Sequence, residues 1–141
     1  MKAQDLLTLA EAQATPRATP KAQLDTRLDR AIANKAARLL DAKRLREWGR
    51  LVKERDRWRD RKTGRRVLRT LNLDADRAEA HHTAGRDDWN VRYDVRAGLT
   101  LSLKSHSEVE QGTYRIDGTA WFSVRGTRYV DCTYPVVFVR L

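Results

Sequence analysis

The sequence predicts an α+β fold in which a basic helical arm precedes a strand-rich second half, and three observations carry that prediction. From Gln23 to about Arg59 the chain holds no proline and, among strong helix formers, only Gly49 as a glycine. There Leu24, Leu28, Ile32, Ala36, Leu39 and Leu40 return every three to four residues, the spacing of one apolar helical face. From Thr113 onward, short β-branched and aromatic runs alternate with turn residues. Charge is divided in the same way. Arg17 to Arg69 carries 19 Lys/Arg against 7 Asp/Glu, whereas Thr70 to Leu141 carries 9 against 10.

Four segments follow in order. Residues 1–21 read as a flexible leader, because the steps Thr15-Pro16 and Thr19-Pro20 push the chain out of the helical region; a short helix over Asp5 to Gln13 fits ahead of them. Residues 22–59 form the basic arm, where Leu45, Trp48, Val52 and Trp58 extend the apolar stripe and Gly49 marks a break between two helices. Trp48 and Trp58 read as core anchors. The arm either pairs with its own copy or folds back on the strands. Residues 60–112 form a central module. Arg66 to Leu73 reads as a strand, Asp74 to Arg77 as a turn and Ala78 to Thr83 as its returning partner. The polar loop Ala84 to Asn90, the alternating run Leu99 to Leu103 and a short helix over Lys104 to Gln111 complete it. Residues 113–141 form an antiparallel β extension packing on the module, with strands over Thr113 to Asp117, Ala120 to Val124, Arg128 to Cys132 and Val136 to Leu141. A hairpin tip falls at Arg125-Gly126-Thr127.

Composition narrows the function. No apolar run approaches the roughly eighteen residues of a membrane span, and Leu6 to Leu9 is too short for a secretory signal. The expectation is a cytoplasmic protein without a membrane partner. One cysteine, Cys132, permits neither an internal disulfide nor a cysteine-built zinc site, and it reads as a half-buried strand residue. The net charge of +10, concentrated before residue 70, points to a polyanion, and DNA is the expected partner. Arg55, Arg57, Arg59, Arg61, Lys62, Arg65 and Arg66, with Arg86 and Arg92 from the second half, are the candidate DNA contacts.

All three histidines fall within 26 positions: the adjacent pair His81-His82 at a strand end, then His106 in the short helix. Between them runs Arg92-Tyr93-Asp94-Val95-Arg96-Ala97-Gly98-Leu99-Thr100-Leu101-Ser102. This pattern resembles the HNH (ββα-metal) endonucleases of bacteria and their phages. Their arrangement is a strand ending in His-His, a loop, then Arg-Tyr-Asp-Val-Arg-Asn-Gly-Leu-x-Leu-Cys-x-x-Cys-His opening a helix. Gly64 to Leu71 and Arg77-Ala78-Glu79 are also similar, so the resemblance covers about residues 58–118. It implies a ββα-metal core that holds one divalent ion (Mg, Mn, Ni or Zn) against a DNA phosphodiester. His81 and His106 would be the ligands and His82 the general base. Glu110, four residues after His106 and on the same helix face, is a candidate third ligand. The resemblance also implies a phage-packaging, terminase-type partner.

Two departures accompany the match. The family's asparagine before the glycine is Ala97, which removes a group that fixes the loop orienting the catalytic histidine. The paired Cys-x-x-Cys knuckles of many members are replaced by Asp60 with Thr63 and Ser102 with Ser105, so no structural zinc is expected. The C-terminal residues Trp121, Phe122, Tyr129, Val136 and Phe138 are then the expected source of packing. Three function classes stay open: an active endonuclease, a catalytically degenerate HNH-fold DNA-binding or phage-type assembly protein, and a basic adaptor for an acidic protein. Among the remaining residues, Trp89 either packs under its loop or touches a nucleotide. Asp87, Asp88 and Asp94 read as loop hydrogen-bonders, and Glu79 as a strand ion-pair partner.

Overall fold

The computed structural model describes residues 20–141, with side chains described from residue 26; the predicted helix over Asp5 to Gln13 lies outside these residues. The chain divides into two compact units, Met1–Arg44 and Leu45–Leu141, so the division falls inside the predicted arm. Helix α1 spans Pro20–Arg55. It is one helix through Gly49, not the two predicted. Gly49 is buried, and an added Cβ there would meet that of Ala80 at 3.6 Å, an ordinary van der Waals contact, so neither a break nor a close approach marks this glycine. The apolar stripe in the first unit also departs from expectation, since Leu28, Ile32 and Leu39 are exposed. The described residues of that unit are this helix alone, so the stripe has no described element of its own unit to pack on.

In the second unit α1 ends where Arg57 and Trp58 turn left-handed, with φ of 55° and 53°. The Trp58 N–H donates back to the Lys53 carbonyl, which occupies an otherwise orphan acceptor. The stretch Arg66 to Leu73 makes only isolated bridges, Arg59 with Arg66 and Leu68 with Arg77, and is not the predicted strand. Strand β1 (Ala78–His82) instead pairs antiparallel with β2 (Gly98–Ser102), in a register that sets His81 opposite Leu99 and His82 opposite Gly98. Helix α2 (Leu103–Glu110) follows β2 without a loop, and Ser102 caps it by accepting from the Ser105 N–H.

The four C-terminal strands lie close to where the sequence predicts them: β3 (Tyr114–Gly118), β4 (Trp121–Val124), β5 (Thr127–Val130) and β6 (Val136–Arg140). β3 pairs with β6 and β4 with β5, both antiparallel. The β4–β5 loop has two residues, Arg125 and Gly126, with φ of 49° and 80°; such a tight hairpin requires this left-handed pair.

These strands build the core around β2, whose five residues are all buried. Leu99, Leu101 and Cys132 pack with Val109, Ile116, Val130, Val136 and Phe138. Val91 and Ala97 pack with Phe122 and Tyr129. Trp121, expected to contribute, is exposed. No described helix is long and apolar enough to cross a membrane.

Two buried carboxylates stitch this unit together. Asp56 accepts from Arg55, Arg61 and the Thr100 N–H. Asp60, 1% exposed, accepts from the hydroxyls of Ser102 at 2.9 Å and Ser105 at 2.5 Å and from the Lys62 N–H at 2.9 Å. Three of the four cysteine-free knuckle positions therefore meet in one hydrogen-bonded knot. Thr63, the fourth, accepts from the Arg65 N–H and faces solvent.

Candidate metal centre

Residues on a strand alternate between its faces, so the neighbours His81 and His82 leave β1 in opposite directions. His81 meets α2. Its ring lies edge-on to that of His106 with centroids 5.2 Å apart. Glu110, one helical turn beyond His106, brings Oε1 to 3.5 Å from His81 Nδ1 and 3.5 Å from His106 Nε2. One ligand atom from each of the three lies within 4.8 Å of the others. Two imidazoles and a carboxylate, converging from a strand and a helix, form a donor set that fits a borderline divalent ion such as Zn, Ni or Mn better than a hard one such as Mg. Burial pushes the His81 imidazole down to about 4, and the neighbouring His106 adds to the shift, so near neutrality His81 offers a lone pair.

His82 meets α1. Its ring stacks on the Trp48 indole with centroids 3.7 Å apart and planes 9° from parallel. Gly98, the cross-strand partner of His82, makes room for that indole: an added Cβ would lie 2.2 Å from Trp48 Cζ2. Trp48 is fixed in turn by its Nε1–H, which donates to the Asp94 carbonyl at 3.0 Å. The second restraint on His82 is a 2.9 Å hydrogen bond between Nε2 and the Arg92 carbonyl. A carbonyl only accepts, so Nε2 carries the proton and Nδ1 is left as the basic nitrogen. Burial lowers the His82 pKa and keeps the ring neutral, and the Arg92 carbonyl opposes that shift in part.

Both histidine faces border one cleft of about 710 Å³, with Arg46 and Lys53 of α1 on one wall and Arg86 on another. Burial holds the Lys53 ammonium below its ordinary value.

In the loop between β1 and β2, Ala97 stands where the resemblance leads one to expect an asparagine. Ala97 is fully buried, and its carbonyl accepts both the N–H and the hydroxyl of Thr83. Asp94 accepts from Arg96, and Asp88 accepts from the Tyr129 hydroxyl at 2.7 Å, so both act as loop hydrogen-bonders. Asp87 is exposed. Glu79 pairs with Arg77.

The candidate DNA contacts separate into two groups. Arg55 donates to the carbonyls of Val95 and Gly98, Arg61 to those of Cys132 and Tyr134, and Arg92 to that of Arg86. Lys62 pairs with Glu108 and sits over the Tyr114 ring. These four brace the fold. Arg57, Arg59, Arg65, Arg66 and Arg86 are exposed.

Trp48 is the core anchor that its place in the stripe predicts, but its contact with His82 is a role that the stripe does not reveal. The sequence carries no direct signal for it, because Gly98 comes opposite His82 only through the β1–β2 pairing, where the glycine leaves a slot for another side chain. Comparison with protein-family models, curated proteins and solved structures finds no match.

Proposed function

We propose that this chain is a metal-dependent endonuclease of the HNH (ββα-metal) type that hydrolyses DNA phosphodiester bonds. The observation that carries this reading is the convergence of His81, His106 and Glu110 on one side of β1 while His82, held by Trp48 and the Arg92 carbonyl, stands on the other. His81 and His106, with Glu110 as third ligand, would hold one divalent ion. When bound, that ion supplies Lewis-acid stabilisation of charge on the phosphate and on the leaving oxygen. His82 Nδ1 takes the proton of the attacking water, and the ring's neutral state beside the cleft suits it to that role near pH 7. Trp48 and the Arg92 carbonyl fix the plane of the imidazole and keep Nδ1 as the unprotonated nitrogen. Arg46, Lys53 and Arg86 flank the cleft as phosphate contacts, and the exposed Arg57, Arg59, Arg65 and Arg66 extend the basic field that draws DNA in.

Plasmid nicking in Mn, Ni, Zn or Mg, compared with His82→Ala, tests the reading. Metal-dependent nicking that disappears in the variant, with DNA binding kept, supports it. Equal nicking by both proteins, or nicking undiminished by chelator, overturns it. DNA bound without cleavage by either would mean a fold retained for binding alone.

A further inference from the structure

Trp89 lies in the β1–β2 loop and is 65% exposed, yet the loop around it is anchored on every side. Asp88, the residue before it, accepts from the Tyr129 hydroxyl and from the Asn90 N–H. Val91 and Arg92, just after it, are buried. The ring itself is also held. The Arg92 guanidinium lies 4.4 Å from its centroid, and Tyr93 meets it edge-on at 6.4 Å. Arg92 therefore serves two rings, since its carbonyl holds His82 while its side chain holds Trp89. A single exposed apolar side chain is ordinary on a protein surface. An indole fixed by a buried arginine, and joined through that arginine to the candidate general base, is a pre-organised flat surface in a basic setting that includes Arg86.

We propose that Trp89 is a stacking platform for an unpaired nucleobase, which makes the preferred substrate of the cleft single-stranded or locally opened DNA. This deepens the nuclease reading and rests on it for the position of the scissile phosphate. The physical reason for the substrate class is simple. In a closed duplex both faces of each internal base are already stacked, so an indole gains a base only where the strand is unpaired. Arg92 over the ring strengthens the platform through the cation–π interaction, and the surrounding arginines hold the backbone beside it.

Fluorescence anisotropy tests this with three labelled probes in EDTA at fixed salt: a twelve-residue oligothymidylate, the same backbone made abasic, and a blunt hairpin duplex. Trp89→Ala is expected to weaken oligothymidylate binding about tenfold. Trp89→Phe should retain most of the affinity, because a smaller aromatic face still stacks. The abasic strand and the duplex should bind wild type and Trp89→Ala alike. The proposal is overturned if Trp89→Ala binds oligothymidylate as tightly as wild type, if it loses the duplex or abasic strand equally, or if wild type binds no oligothymidylate. Because chelator stops cleavage, the result is independent of nicking. Failure of the nuclease reading would show as nicking unchanged in His82→Ala, and failure of the stacking platform would leave that comparison untouched.

Discussion

The Trp48 indole lies face to face with the His82 imidazole at 3.7 Å and 9°, in a slot that exists because the residue opposite His82 is Gly98. Two side chains from distant parts of the chain thus share one orientation. A stacked aromatic pair contributes about 0.5–1.5 kcal/mol beyond its burial, but the larger effect is to confine a ring whose angle decides where Nδ1 points.

Trp48→Phe is expected to keep the fold and lower kcat about tenfold with little change in KM, because a smaller ring lets the imidazole tilt. Steady-state kinetics beside a thermal melt check this. A rise in KM alone would indicate a substrate contact and not a positioning role. Gly98→Ala should be worse on both counts, since its methyl group meets the indole directly.

Metal affinity should follow the three converging residues. His106→Ala is expected to abolish binding of Ni or Zn at micromolar concentration, and Glu110→Gln to weaken it about tenfold. Titration calorimetry reads both. Unchanged affinity in Glu110→Gln would remove it from the ligand set.

In metal-free protein the His81 imidazole should titrate near pH 4 by NMR, below its ordinary value of 6.5, chiefly through burial. The unfolded chain then binds more protons than the folded one between these values. Stability associated with His81 is therefore present above about 6.5 and lost as pH falls through about 4, an effect on the order of 3 kcal/mol. His81→Ala should flatten the stability profile over that window in urea melts, and a parallel slope in both proteins would contradict the assignment.

Asp60→Ala leaves the Ser102 and Ser105 hydroxyls and the Lys62 N–H without their acceptor, so a loss of about 2–4 kcal/mol is expected. Ser102→Ala and Ser105→Ala should cost about 1 kcal/mol each. Urea unfolding measures all three. Equal, small effects would show that Asp60 is dispensable.

The two groups of arginines should behave differently. Removing Arg57, Arg65, Arg66 or Arg86 should weaken DNA binding at low salt and reduce the slope of log K against log salt by about 0.9 for each phosphate no longer neutralised. Arg55→Ala, which frees two backbone carbonyls beside β2, should lower the melting temperature.

Much of the second half was legible in the sequence, for local reasons. The helix after β2 and the four C-terminal strands are announced by alternation and by turn residues such as Arg125-Gly126. The grouping of His81 with His106 is what the family resemblance implied, and Glu110 joined it through the i to i+4 relation on α2. Pairing was less legible. Arg66 to Leu73 has a strand's composition, but β1 finds a better partner in β2, which is buried throughout and aligned from Ala78 to His82. Arginine roles were illegible for a similar reason. A guanidinium reaching phosphate and one closing a backbone carbonyl have the same sequence signature, and only the fold separates Arg55 from Arg57. The exposed Leu28, Ile32 and Leu39 show that periodicity reports a helical face without naming what covers it.

The knot of Asp60, Ser102 and Ser105 is made of oxygen chemistry alone. Peroxide, which dismantles thiolate clusters, finds nothing to oxidise at that joint, and the only thiol, Cys132, is buried with its pKa pushed up by burial. On the proposed metal-dependent reading, a chelator that empties the site of His81, His106 and Glu110 would therefore leave the scaffold standing, and loss of the ion would stop the proposed chemistry reversibly without unfolding the chain.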